Sequence, residues 1–144
     1  MRVLQGEVLR LEREREKGNG GEPVREFAGI SEKLLAKAVP QMAAGITLLD
    51  SETRVVYYNA HAAAILDRKP DYIGRPVNDF HNQKSKDKID ALFEEFRRGR
   101  TEPAGWQLNR GDDYFVVRVA PIRDDKEFLG VVHTVIRLNP EERP

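Results

Sequence analysis

The chain has 144 residues, enough for one ordinary domain with an appended segment and too few for two lobes with a cleft between them. Its 24 basic and 24 acidic residues balance, so no long-range field gathers a polyanion or an acidic membrane surface, and no direct nucleic-acid partner is expected. The absence of cysteine removes disulfides, thiolate metal sites, iron–sulfur clusters and cysteine nucleophiles; no run approaches the roughly 20 apolar residues of a membrane span, and the charged start lacks a signal-peptide core, so a cytoplasmic location and no membrane partner are expected.

Residues 1–17 place Leu4, Val8 and Leu11 at helical spacing ahead of the alternating charges of LEREREK, which predicts an amphipathic helix with one narrow apolar stripe. Gly18, Gly20, Gly21 and Pro23 break it, making residues 18–23 a linker. Residues 24–40 carry Val24, Phe27, Leu34, Leu35 and Val39 in partial helical register up to Pro40, a second helix leading into the domain. AGITLLD and TRVVYYN, rich in β-branched and aromatic residues and separated by turn chemistry, read as a hairpin. Asn59 can cap the alanine-rich AHAAAILD, and the Pro and Gly residues at 70, 74 and 76 then impose short helical pieces and turns. Ile89, Leu92, Phe93 and Phe96 fall at i, i+3, i+4 and i+7, so a helix is predicted from Ser85, as its cap, to the basic turn before Gly99. TEPAGWQLN, DYFVVRVAPIR and EFLGVVHTVIRL follow as three strands joined by Asp/Asn/Gly turns, leaving residues 139–144 as a polar tail. The order implies an α+β domain over residues 41–138, a five-stranded antiparallel sheet with one face covered by short helices and a helical extension before it.

Little in the chain resembles catalytic machinery. The three histidines are 20 and 52 residues apart, unlike local zinc patterns. Ser31, Ser51 and Ser85 lie outside any nucleophile turn, and the glycines at 18–21 lack the Lys-Ser/Thr of a phosphate loop, so no enzyme is expected. His133 alternates with Leu129, Val131 and Val135 on one strand face and reads as a buried, satisfied core histidine rather than a second ligand. His61, in the first turn of its helix, receives no role.

Pro40 before GITLLD, RVVYYNAHAAAIL as strand then capped helix, YIGRPVNDF with its Gly74, and the late VAPIRDD and GVVHTVI strands together resemble the PAS family over residues 34–137. Within it, FHNQKSKDKIDALF resembles the H-x-x-K-S-x-D-K segment of bacterial carbon-monoxide-sensing regulators that join a haem PAS domain to a LytTR DNA-binding domain. The segment, with the tryptophan strand AGWQLN after it, is also similar to the C-terminal PAS domain of hemerythrin-like proteins of unknown function.

The first resemblance implies a sensor in which His81 ligates haem b and the iron takes up carbon monoxide, nitric oxide or dioxygen or reports redox state. Lys84, Ser85, Asp87 and Lys88 match the flanking pattern, while Trp106 stands about where those sensors place a methionine ligand. Its indole N–H only donates, so an open or exogenously filled sixth position is expected. Ile65, Leu66, Ile73, Phe80, Ile89, Leu92 and Phe93, with Trp106, are the expected pocket wall. Lys84, Lys86, Lys88, Arg97 and Arg98 are candidates to face propionates or, more simply, a solvated helix face. The plainer reading of His81 is a turn residue fixing the start of the following helix. The alternative function is a cofactor-free interaction module, homodimeric through the N-terminal helix and the sheet face, with Trp106 and Phe115 as its working surface.

Overall fold

The computed structural model describes residues 31–144. The helix expected over 1–17, the linker over 18–23 and the first part of the helix expected over 24–40 lie outside the described residues. Contacts divide the chain into two units, the first ending at Ala38 and the second running from Val39 to Pro144. The first contributes α1 (Glu32–Ala38), begun by Ser31, whose Oγ accepts from the Leu34 N–H. Its run stops ahead of Pro40, which lies in a 3-10 turn over Val39–Gln41, in keeping with a residue that cannot extend a helix.

The second unit is built on one antiparallel sheet. Its strands are β1 (Gly45–Asp50), β2 (Val55–Tyr58), β3 (Ala104–Arg110), β4 (Asp113–Asp124) and β5 (Glu127–Leu138), in the spatial order β2-β1-β5-β4-β3. The expected hairpin of β1 and β2 is present, with Asp50 Oδ1 accepting from the Glu52 and Arg54 N–H groups across its turn. Between β2 and β3 come α2 (Ala60–Leu66), two 3-10 turns (Pro70–Tyr72 and Val77–Phe80) and α3 (Gln83–Arg97). The expected α+β class and five-stranded antiparallel sheet covered by short helices are what the chain forms.

α3 presents Phe93 and Phe96 to the sheet, where they meet Val117, Val119, Val131 and Val135; Ile89 and Leu92 pack against the same cluster half-buried. The 3.6-residue stripe therefore points as expected. The cap does not: the helix starts two residues before Ser85, because Asn82 Oδ1 accepts from the Ser85 N–H and Ser85 lies inside the first turn. Asparagine caps as well as serine does, and it is Asn82, three residues before Ser85, that has the extended backbone of a cap.

A bulge in β5 overturns one strand-face expectation. Pairing with β4 shifts register between Ile122 and Arg123, so that Gly130 faces Ile122 and Phe128 faces Arg123. Leu129 is the extra residue; it turns out to solvent while Phe128 packs on the core. Strict alternation from Val135 back to Leu129 fails there. Residues 139–144 are polar but ordered by a 3-10 turn at Pro140–Glu142 with a reciprocal Asn139–Glu142 capping box.

Candidate functional site

A cavity of about 700 Å³ lies between α3, the segment after α2 and the β3–β4–β5 half of the sheet. Register explains the sheet wall. Trp106 faces Val117, which faces Val135, and in the next inward row Val119 faces His133, which faces Thr47. Alternate residues of paired strands share a face, so these rows point together toward the helical layer. Ser85, Lys88, Ile89 and Leu92, at helical spacing along α3, form the opposite wall.

His81 stands where two elements constrain it. It closes the 3-10 turn Val77–Phe80, its N–H donating to Asn78 O, and it immediately precedes the α3 cap Asn82. Asn78 Nδ2 donates to Asp90 Oδ1 at 2.6 Å, tying that turn to α3. His81 Nδ1 lies 2.9 Å from the Val77 carbonyl oxygen. A carbonyl only accepts, so Nδ1 carries the proton and the Nε2 lone pair is left without a hydrogen bond among the described residues. Burial lowers the His81 pKa, against the Val77 hydrogen bond that raises it, with the charges of Arg68 and Lys86 lowering it further. The imidazole is held neutral. It therefore both fixes the turn, as its plainer reading had it, and presents a free nitrogen.

Of the residues expected to line a pocket, Leu66, Phe80, His81, Ile89, Leu92 and Trp106 border this cavity. Phe93 borders a smaller adjoining one of about 60 Å³, together with His81, Ile89, Leu92 and Trp106. Ile65 packs half-buried against the core and borders neither. Ile73 is corrected: it is 45% exposed, because it follows the Pro70–Tyr72 turn where the chain bends toward Gly74, and its neighbour Tyr72 faces the cavity instead, stacked on Phe80 at 3.8 Å. Phe115 is corrected as well. It is buried and lines the cavity rather than an exposed sheet surface, since β4 carries it on the row beside Leu108. Among the basic residues near α3, Lys88 borders the cavity, whereas Arg97 reaches away to the Ser51 carbonyl and the Phe128 ring.

Sequence reasoning missed Arg68 and misjudged His133. Asp67 ends α2 in the left-handed region, and Arg68 follows it to border both cavities. Nothing in a helix-terminal arginine signals that. His133 does occupy the inner face, as alternation implied, yet it is not satisfied: its Nδ1 is buried without a hydrogen-bond partner on another residue, and burial, aided by the charges of Arg68 and His81, brings its pKa down to about 4.

One antiparallel sheet with short helices over one face and a cavity between the layers makes a two-layer α+β domain. The chain belongs to the PAS domain family, whose family model matches residues 35–139. It is similar in structure to the C-terminal domain of a Streptococcus mutans protein, with 24% identity over 78% of this chain and 88% of that one and a TM-score of 0.67. It is also similar to the PAS domain of the histidine kinase ThkA, with 24% identity over 66% and 99% and a TM-score of 0.50. The PAS domain of BvgS from Bordetella pertussis gives 14% identity over 74% and 85% and a TM-score of 0.59. No curated protein matches the chain. Among the described residues, no helix is long and apolar enough to cross a membrane.

Proposed function

We propose that this PAS domain is a sensory module that binds haem b through His81. The observation that carries the reading is the His81 Nδ1–Val77 hydrogen bond: it fixes the tautomer and orients a neutral imidazole whose other nitrogen is free. A backbone carbonyl on the far nitrogen is the usual partner arrangement of a metal-binding histidine, because it fixes ring orientation and raises the basicity of the ligating nitrogen. The surroundings suit the group. The cavity volume lies in the range of small-molecule sites, and Leu66, Phe80, Ile89, Leu92 and Trp106 supply apolar wall. Trp106 adds packing and no ligand, since its indole N–H has no lone pair to give.

Haem iron, when bound, supplies a site for carbon monoxide, nitric oxide or dioxygen. The chain's own part is mechanical. His81 joins the Val77–Phe80 turn to α3, so a pull on its imidazole is felt by both, and Asn78–Asp90 links the turn to α3 about two turns into the helix. The similarity to a domain of a histidine kinase fits a sensory role of this kind.

The absorption spectrum of protein expressed with haem available tests the reading. A Soret band that shifts on reduction and carbon monoxide addition, and that His81→Ala abolishes or displaces, is the expected result. A colourless wild-type protein after reconstitution would overturn it and leave the cofactor-free interaction module.

A further inference from the structure

The polar lining of the two cavities is one-sided. Arg68, Lys88 and Arg110 supply three cations, His81 and His133 two imidazoles, and among the described residues no aspartate or glutamate borders either space, although acidic and basic residues are equal in number along the chain. The distribution is not a general excess of positive charge.

Arg68 is the sharpest case. Its Nε is buried without a partner, and the side chain makes no ion pair or hydrogen bond among the described residues. Desolvation is the main influence on it, lowering its pKa, yet a guanidinium stays charged in proteins. The side chain as a whole is partly buried, and a partly desolvated cation without a counter-charge is a place where an anion is favoured. Arg68 borders the small cavity beside Thr47 and His133, paired residues of β1 and β5 whose Oγ1 and Nδ1 are also buried and unpartnered. Three donor-capable groups from three parts of the chain thus converge on about 60 Å³, the room of about two waters at ~30 Å³ each or of one carboxylate. The apolar bulk of the larger cavity opens beside it, with Arg68, His81, His133 and Trp106 common to both.

We propose that the Arg68–Thr47–His133 corner is a carboxylate receptor, and that the natural occupant of the cavity is an apolar body carrying a carboxylate. A guanidinium fork matches the two oxygens of a carboxylate, and the Thr47 hydroxyl and a His133 N–H add donors to it. The ligand's hydrophobic part fills the space against Phe80, Ile89, Leu92 and Trp106. The proposal needs no iron. Haem, through a propionate, is one source of such a group, in which case it deepens the reading above; a free aromatic or aliphatic acid is the other.

The test uses the full chain as wild type, Arg68→Gln and Arg68→Lys, with haemin, haemin dimethyl ester, 2-naphthoate and uncharged 2-naphthalenemethanol as probes. Without ligand, Arg68→Gln melts no lower than wild type, because it removes a partly desolvated charge that has no counter-charge; a merely structural arginine melts lower when replaced. If haem is the source, Arg68→Gln weakens haemin binding about tenfold or more, Arg68→Lys less, and the dimethyl ester binds wild type and Arg68→Gln alike. If a free acid is the source, haemin fails to bind, which sinks the His81 reading alone, while 2-naphthoate raises the wild-type melting temperature and leaves Arg68→Gln unmoved; the alcohol does neither. Haemin affinity and naphthoate response both indifferent to Arg68 would overturn the proposal and leave the corner to water.

Discussion

Asn59 shows how much one buried side chain can hold. Its Oδ1 accepts from the N–H groups of Ala62, the α2 cap interaction, and of Ile46 in β1, both at 3.0 Å, while Nδ2 donates to the Ala44 carbonyl at 2.9 Å. An ordinary exposed cap such as Asn82 lacks the cross-strand half of this. Asn59→Ala is therefore expected to lower stability by about 2–4 kcal/mol, having stranded a buried strand N–H, against about 1 kcal/mol for Asn82→Ala. Urea unfolding at pH 7 separates the two, and equal losses would show that the Ile46 bond adds nothing. His133 makes a second residue-scale prediction. Its folded pKa of about 4 lies below the ordinary 6.5, so the unfolded chain takes up a proton first as pH falls. Stability is full above about 6.5, declines through the interval down to about 4 and then levels, a loss of about 3 kcal/mol at most from this group. His81, lowered in the same direction, adds to the slope, and Arg68 is the cation facing both. His133→Gln should flatten the profile without abolishing its slope; an unchanged profile would mean His133 is charged or solvated in the fold.

Elements are positioned here by close backbone approaches as much as by side-chain packing. A Cβ on Gly130 would stand 2.1 Å from the Leu49 carbonyl oxygen, a contact no rotamer relieves because both atoms belong to the backbone. This is the point where the β5 bulge lies against β1, and the bulge in turn sends Phe128 to the core and Leu129 outward. Gly130→Ala is expected to destabilise by about 3 kcal/mol or more. Gly111→Asn, at φ 60 with nothing within 4 Å, should cost under about 1 kcal/mol, since asparagine tolerates that region. Thermal unfolding of the pair would contradict the argument if the order reversed. Alternation in β5 was legible as far as Gly130. The bulge was not, because inserting one residue is decided by the partner strand and leaves no mark in the local pattern.

For the molecule as a whole, the compact unit Val39–Pro144 contains the sheet, both cavities and the histidines. A chain begun at Val39 should unfold in one cooperative transition, and Phe96→Ala within it should lose about 3–5 kcal/mol, since that ring is fully buried between α3 and the sheet. Separate transitions for the sheet and α3 would refute a single core. The sequence by itself determined the hairpin, the amphipathic face of α3, the three closing strands and hence the fold, because hydrophobic period and turn chemistry are local and each element carries its own. It was the resemblance of FHNQKSKDKIDALF to a family segment, and not periodicity, that set His81 beside an expected apolar pocket. Only the tertiary structure decided that Thr47, Arg68, His81 and His133, drawn from separate parts of the chain, meet around one space with no acidic partner among the described residues, and that Ile73 is not among them. Strand register and the left-handed turn at Asp67 bring the four together. A polar group's burial and its want of a partner are properties of that meeting, which no stretch of neighbouring residues can express.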